Sequence, residues 1–181
     1  MKRPESRKRR KIGALSFSLY MLAVLLIAVG IRAFVLERVV VVGESMETTL
    51  DDGDNVLIEK ICKITDDINR YDIVVFPAGN SLLIKRVYGL PGESIRIDET
   101  GLIYINDEVL DDRYAREIMR DAGRAGGAGI TLAEDEYFVL GDNRNNSIDS
   151  RMLEAGSVRD ENIRGKVILR LTPFSKLGRI K

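Results

Sequence analysis

The sequence predicts a mainly β, antiparallel domain behind one N-terminal helix that crosses a membrane, and three observations carry that prediction. Twenty uncharged residues, 12–31, follow a strongly basic start. Eight short runs rich in β-branched residues recur along what comes after. Glycine, proline, asparagine and aspartate punctuate those runs where turns are needed.

Residues 1–11 hold seven basic side chains against Glu5, a net +6, so in a chain that is neutral overall the remaining residues carry −6. The twenty residues that follow, at about 1.5 Å each, span roughly the 30 Å of a bilayer core. A cleavable signal peptide is the competing reading, with Ala28-Val29-Gly30 as a small-x-small cleavage pattern. The apolar run is longer than the usual h-region of about 7 to 15 residues and leads straight into Val39-Val40-Val41-Val42, which favours an uncleaved anchor. A buried helix of a soluble core fits poorly beside seven basic residues. The basic tail keeps the N-terminus in the cytoplasm and puts the acidic remainder outside. No nucleic-acid partner is needed to explain it. The expected organisation is a cytoplasmic tail over 1–11, a single-pass anchor in the cell membrane over 12–31, and an extracytoplasmic β-rich domain over 32–181.

In that domain the runs 39–42, 55–58, 72–76, 82–87, 94–97, 102–105, 137–140 and 167–171 read as strands. Leu90-Pro91-Gly92 places proline and glycine as a type II turn wants them, and Asn106-Asp107 joins 102–105 to a strand near Val109 as a hairpin. The pattern weakens around 95–136. Between 111 and 132 charged residues give way to Gly123, Gly126, Gly127 and Gly129, which reads as a short helix or irregular segment followed by a mobile loop. The single cysteine, Cys62, allows no intramolecular disulfide and reads as a small core residue.

The chain contains no histidine. That excludes a Ser-His-Asp triad, a Cys-His pair and every metal site that needs imidazole, so a serine nucleophile here must find another base. Ser45 follows the 39–42 run, between Gly43 and the turn-like Asp51-Asp52-Gly53-Asp54. Lys85 lies in an aliphatic run, where strand alternation puts Leu83, Lys85 and Val87 on one face. That face is either solvent or a pocket that buries the lysine. Burial matters, because an unperturbed lysine is neutral in only about one molecule in 2,500 at pH 7, a handicap of roughly 4.6 kcal/mol. An apolar pocket depresses a lysine pKa by about 3 to 5 units and removes most of that handicap.

Four segments in order carry a resemblance. They are Val42-Gly43-Glu44-Ser45-Met46-Glu47-Thr48-Thr49-Leu50, then Arg70-Tyr71-Asp72-Ile73-Val74-Val75-Phe76, then Ile84-Lys85-Arg86-Val87-Tyr88-Gly89-Leu90-Pro91-Gly92-Glu93, then Gly141-Asp142-Asn143-Arg144-Asn145-Asn146-Ser147-Ile148-Asp149-Ser150-Arg151. Together they closely resemble the boxes of bacterial type I signal peptidases, the leader peptidase family of Ser-Lys serine proteases, and the likeness runs from the anchor to Pro173-Phe174.

The resemblance implies a membrane-anchored endopeptidase that removes signal peptides from secreted preproteins after small residues at −1 and −3. It implies no metal or organic cofactor, and membrane lipid around the anchor. Ser45 would be the nucleophile, Lys85 the general base, and the Ser45 N–H part of the oxyanion hole. Gly43 stands where some members carry a hydroxyl that supplies a second oxyanion donor. Ser147 matches a serine that hydrogen-bonds and orients the lysine, and Asp149 and Arg151 match a supporting ion pair. Asp142, Asn143, Arg144 and Asn145 read as a polar turn that shapes the site without touching substrate. Thr48 replaces the family's usual proline, which frees φ and restores an N–H in the turn. Glu44 and Glu47 read as exposed residues, too weak as bases for a serine hydroxyl. An extended substrate would pair with strand edges near 39–43 and 82–85. The Ser-Lys pair on a β-rich fold also resembles the self-cleaving SOS repressors, which are soluble and carry a DNA-binding domain. From a different class, an inactive tethered scaffold that binds signal peptides is suggested only by Thr48 and Gly43.

Overall fold

The computed structural model describes residues 5–65, 67–79 and 81–180, with side chains left out of the description for 5–15, 33, 63 and 64. It divides into two compact units, one ending at Leu36 and the other starting at Glu37. The first is dominated by α1 (Glu5–Phe34). Leucine, alanine and other good helix formers sustain it, and Phe17, Tyr20, Leu22, Leu25, Leu26, Ile27 and Val29 are all exposed along it. It runs through the whole predicted 12–31 segment. The side chains of the predicted tail over 1–11, and of residues 12–15, lie outside the described residues. Among the described residues no helix is long and apolar enough to cross a membrane.

The second unit is built on two sheets. Its strands are β1 (Leu36–Val40), β2 (Asn55–Glu59), β3 (Ile73–Ala78), β4 (Ser81–Gly89), β5 (Ser94–Ile97), β6 (Ile103–Ile105), β7 (Glu108–Val109), β8 (Ile130–Thr131), β9 (Glu136–Leu140), β10 (Val158–Arg159), β11 (Gly165–Thr172) and β12 (Gly178–Arg179). The larger sheet runs β1-β2-β11-β3-β4-β9-β10, with β12 beside β11, and the smaller runs β7-β6-β5-β8. The pairings of β3 with β4, β4 with β9 and β11 with β2 are all antiparallel. A four-residue helix, α2 (Cys62–Thr65), follows β2.

β3 shows why the central runs are apolar without alternation. Ile73 and Val75 enter one core with Val39, Val41, Met46, Leu50, Val56 and Ile58. Val74 and Phe76 enter another with Cys62, Ile68, Val87, Tyr137 and Val139. A strand covered on both faces needs apolar residues at every position. The smaller sheet does alternate, turning Ile95, Ile97, Ile103 and Ile105 onto Tyr88, Phe138 and Leu140 and leaving Ser94 and Tyr104 less buried. Asn106 and Asp107, at φ of 50° and 66°, form the predicted hairpin turn.

Two expectations are corrected. The first strand is not 39–42 but Leu36–Val40, because Val41 turns its backbone to the next loop, donating to the Asp54 carbonyl at 2.8 Å and accepting from Gly53 at 3.0 Å. The 111–132 segment is not a free glycine loop. It contains a 3-10 turn, Gly123–Ala125, and β8, with Ala125 fully buried. A Cβ on Gly129 would come within 2.5 Å of the Ile95 carbonyl oxygen, so this glycine serves close packing. Within the less regular insertion expected around 95–136, the short strands of the smaller sheet alternate with irregular chain.

Candidate active site

The turn that presents Ser45 grows out of β1. Gly43 sits at φ +90°, and its N–H donates to the Asp52 carboxylate at 2.7 Å. The Met46 carbonyl then accepts from the Thr49 and Leu50 N–H groups at 2.9 and 2.8 Å. Met46 and Leu50 are fully buried, and burial of such side chains contributes roughly 1.5–3 kcal/mol each, enough to pin both ends of so short a turn. Thr48 is exposed, while Thr49 carries the turn's long-range bonds. Its hydroxyl donates to Asp142 at 2.6 Å and accepts from Arg86 at 2.9 Å, and its carbonyl accepts from Arg170.

The opposite wall is β4. Lys85 pairs with Val74 of β3 and shares a face with Leu83 and Val87. It is 2% exposed, so of the two readings the sequence left open the structure has the buried one. The Nζ lies 2.6 Å from Ser45 Oγ and 3.1 Å from the Ile84 carbonyl oxygen. Burial brings the ammonium down to about 8, against the opposing pull of the Asp149 and Asp142 carboxylates.

Arg86, one residue on, serves the other face. Its guanidinium grips Asp142 at 2.9 and 2.7 Å, both side chains being fully buried, and Nη1 donates to the Tyr71 carbonyl at 3.0 Å. Tyr71 presents that carbonyl from φ +74°, a rare conformation for a bulky residue, and the Tyr114 ring covers the guanidinium at 3.8 Å.

The 141–151 segment closes the site. The Asn143 N–H donates to the Ser45 carbonyl at 3.0 Å and its amide to the Glu44 carbonyl at 3.1 Å, so it holds the nucleophile's backbone. Asp149 accepts from Gly141 N–H at 3.1 Å and forms a buried pair with Arg151 at 2.8 and 2.9 Å. Arg151 also donates to the Arg144 carbonyl at 2.6 Å, and Arg144 pairs with Asp112 and bonds the Gly141 carbonyl. Ser147 lines the cleft beside Lys85, but its Oγ, though buried, has no hydrogen-bond partner among the described residues; the expected bond to Lys85 is not made.

Sequence reading therefore named Ser45, Lys85, Ser147, Asp149 and Arg151, which the fold brings to one place, and Gly43, whose N–H is already engaged. It passed over Arg86, Thr49, Asp52 and Asp112. The available signal was an arginine beside a lysine in an otherwise aliphatic strand, a position at which two consecutive charges demand partners on both faces.

A cleft of about 250 Å³ runs between Gly43, Glu44, Ser45, Leu83, Lys85 and Ser147. It meets a trough of about 560 Å³ at Val42 and Leu83, which reaches back to Glu37, Arg38 and Ser81. β9 pairs with β4 only from Arg86 onward, so the trough runs along a stretch of β4 whose side away from β3 is not paired with β9, and along β1, an edge strand. The Ser45 N–H makes no hydrogen bond among the described residues. A hydroxyl beside a buried amine that is neutral in a useful fraction of molecules, with a backbone donor at hand, is equipped for attack on a carbonyl.

The family model "Signal peptidase, peptidase S26" matches residues 14–172. The chain is similar to "Probable signal peptidase I-2" of Synechocystis sp., 37% identical over 87% of this chain and 73% of that one. It is similar to "Signal peptidase I" of Bacillus amyloliquefaciens, 31% identical over 100% of both chains, and to "Signal peptidase I U" of Bacillus subtilis, 34% identical over 97% and 96%. A solved signal peptidase I from Enterococcus faecalis is 29% identical, with a TM-score of 0.44, over 55% of this chain and 96% of that one.

Proposed function

We propose, for a chain that belongs to the signal peptidase family of peptidase S26, that it removes signal peptides from secreted preproteins at the membrane by a Ser45-Lys85 acyl-enzyme mechanism. The observation that carries this reading is the 2.6 Å contact between Ser45 Oγ and a Lys85 amine that is 2% exposed.

Neutral Lys85 takes the Ser45 proton as Oγ attacks the scissile carbonyl, and the Ser45 N–H receives the developing oxyanion. The lysine ammonium then gives its proton to the leaving amine. A water deprotonated by the same amine hydrolyses the ester, releasing the signal peptide's new carboxylate. Asp149 and Arg151 hold Gly141 and Arg144, Asn143 holds Ser45, and the Arg86-Asp142-Thr49 network holds the turn, so these residues position the pair. Preprotein residues before the cut extend along the trough and add main-chain bonds to the edges of β1 and β4, and shallow pockets there favour small side chains at −1 and −3.

The 12–31 segment anchors the enzyme beside its substrates. Its support is an uncharged run of twenty residues behind a net +6, and a helix whose apolar side chains are exposed all round, which suits lipid better than water.

The test is cleavage of a signal-peptide-bearing preprotein in detergent by the parent, Ser45→Ala and Lys85→Ala, with circular dichroism to confirm folding. Cleavage by the parent alone, at the small-x-small site, is the expected result. Equal cleavage by either variant would exclude the dyad, and none by the parent on several preproteins would leave the binding scaffold as the better reading.

A further inference from the structure

The two ends of the substrate path differ in charge. On the trough side Glu37 is answered by Arg164 at 2.5 Å and by Lys60 at 3.6 Å. Beyond the nucleophile, Glu47 is answered by Arg116 at 2.5 Å, and Asp142 and Asp149 are held by Arg86 and Arg151. Glu44 is different. It lines the cleft next to Ser45, it is exposed, and its Oε2 accepts only from the neutral Asn146 amide at 3.1 Å. Among the described residues it makes no ion pair. Its charge is therefore open to whatever occupies the cleft.

Position decides which part of a substrate that is. The edges of β1 and β4 line the trough, whereas Glu44, Asn146 and Ile148 line only the part that continues past Val42 and Leu83. A substrate whose residues before the cut lie along the trough must carry its first residues after the cut past Glu44. An extended chain advances about 3.3 Å per residue, so a glutamate adjacent to the nucleophile is within reach of the first or second of them. We propose that Glu44 is a specificity-determining residue for the leaving side, favouring a basic and disfavouring an acidic residue at the first two positions of the released mature protein. This rests on the signal-peptidase reading above. At about 5 Å in a well-hydrated cleft, one unit charge alters the transition-state energy by a few-fold in rate for each sign, so lysine and aspartate should differ by about fivefold to tenfold.

The experiment measures kcat/KM at low salt for a preprotein series with Lys, Gln or Asp at the first or second mature position, using the parent, Glu44→Gln and Glu44→Lys. Glu44→Gln keeps an oxygen for Asn146 and removes only the charge. The parent is expected to prefer Lys over Gln over Asp, Glu44→Gln to flatten that order, Glu44→Lys to reverse it, and added salt to shrink the spread. Equal rates across the series in the parent, or an order unchanged in Glu44→Gln, would overturn the inference while leaving the activity in place. A parent that cuts no member of the series, nor any other preprotein, removes the signal-peptidase reading and this inference together.

Discussion

At the scale of one residue, the proposed mechanism makes activity and stability depend on the same Lys85 proton. With its amine brought down to about 8, roughly one molecule in ten is neutral at pH 7, against about one in 2,500 for an unshifted lysine. kcat/KM should rise about tenfold per pH unit below 8 and level off above it, read from cleavage rates between pH 6 and 10 at low substrate. The stability consequence has the opposite benefit. The folded state holds the Lys85 proton more weakly than the unfolded chain does, so burial of the ammonium destabilises the fold fully below pH 8. Between pH 8 and about 10.5 the unfolded state binds more protons and the penalty disappears as pH rises. Lys85→Met, which keeps the side-chain volume, should abolish cleavage. It should raise stability at pH 7 by up to about 3 kcal/mol, with the gain fading by pH 10.5 in thermal or urea unfolding. A variant no more stable than the parent at pH 7 would show that the amine is well solvated.

At the scale of elements, burial separates ion pairs that hold the site from pairs that decorate it. Arg86 and Asp142 are both wholly buried where β4 meets the 141–151 segment, whereas Arg113 and Asp111 are 60% and 62% exposed. Arg86→Met leaves a buried carboxylate with only the Thr49 hydroxyl named above. It should cost about 3–5 kcal/mol in urea unfolding and most of the activity, while Arg113→Ala should leave the urea midpoint unchanged. Gly141→Ala tests the meeting of the same segment with the nucleophile turn. Its Cβ would come within 2.3 Å of Ser147 Oγ and 2.6 Å of the Ser45 carbonyl oxygen, and the latter is backbone. Cleavage should fall by at least about 100-fold in a chain that still unfolds cooperatively, because a displacement near 1 Å suffices at a reacting centre.

How far these elements were legible follows the range of the forces that make them. Runs such as 94–97 and 137–140, and the Asn106-Asp107 turn, are decided by local pattern and conformational preference, and the sequence shows them. β10 and β12, two residues each, exist only because β9 has a side that β4 does not take and β11 runs on past the two residues that β3 covers. Gly123 and Gly129 read as flexible because their close approaches to the Arg151 and Ile95 carbonyls cannot be seen in the chain. Within the site, residue types and order point to Ser45 and Lys85, but the commitment of the Gly43 N–H to Asp52 and the partnership of Arg86 with Asp142 depend on contacts 9 and 56 residues apart.

At the scale of the whole molecule, the proposed function puts the chemistry in one of the two units and the address in the other. The three cores and every residue of the cleft lie at or beyond Glu37. The apolar exposure of Phe17, Leu25, Leu26 and Ile27 lies in the helix. If the helix serves only to keep the enzyme on the membrane, a chain starting at Leu36 should fold and cleave a short soluble peptide at a rate within about threefold of the full chain. The two should part on a preprotein held in vesicles. There the full chain meets its substrate within one surface, and the gain from such tethering is about 10²- to 10⁴-fold without any new contact at the active site. The shortened chain should lose most of that factor, and alkaline carbonate should extract it from vesicles while leaving the full chain behind. Equal rates on vesicles, or full extraction of the intact chain, would mean that the basic tail and the apolar run do something other than anchor. Loss of peptide cleavage on shortening, with folding intact, would mean that the two units share the chemistry.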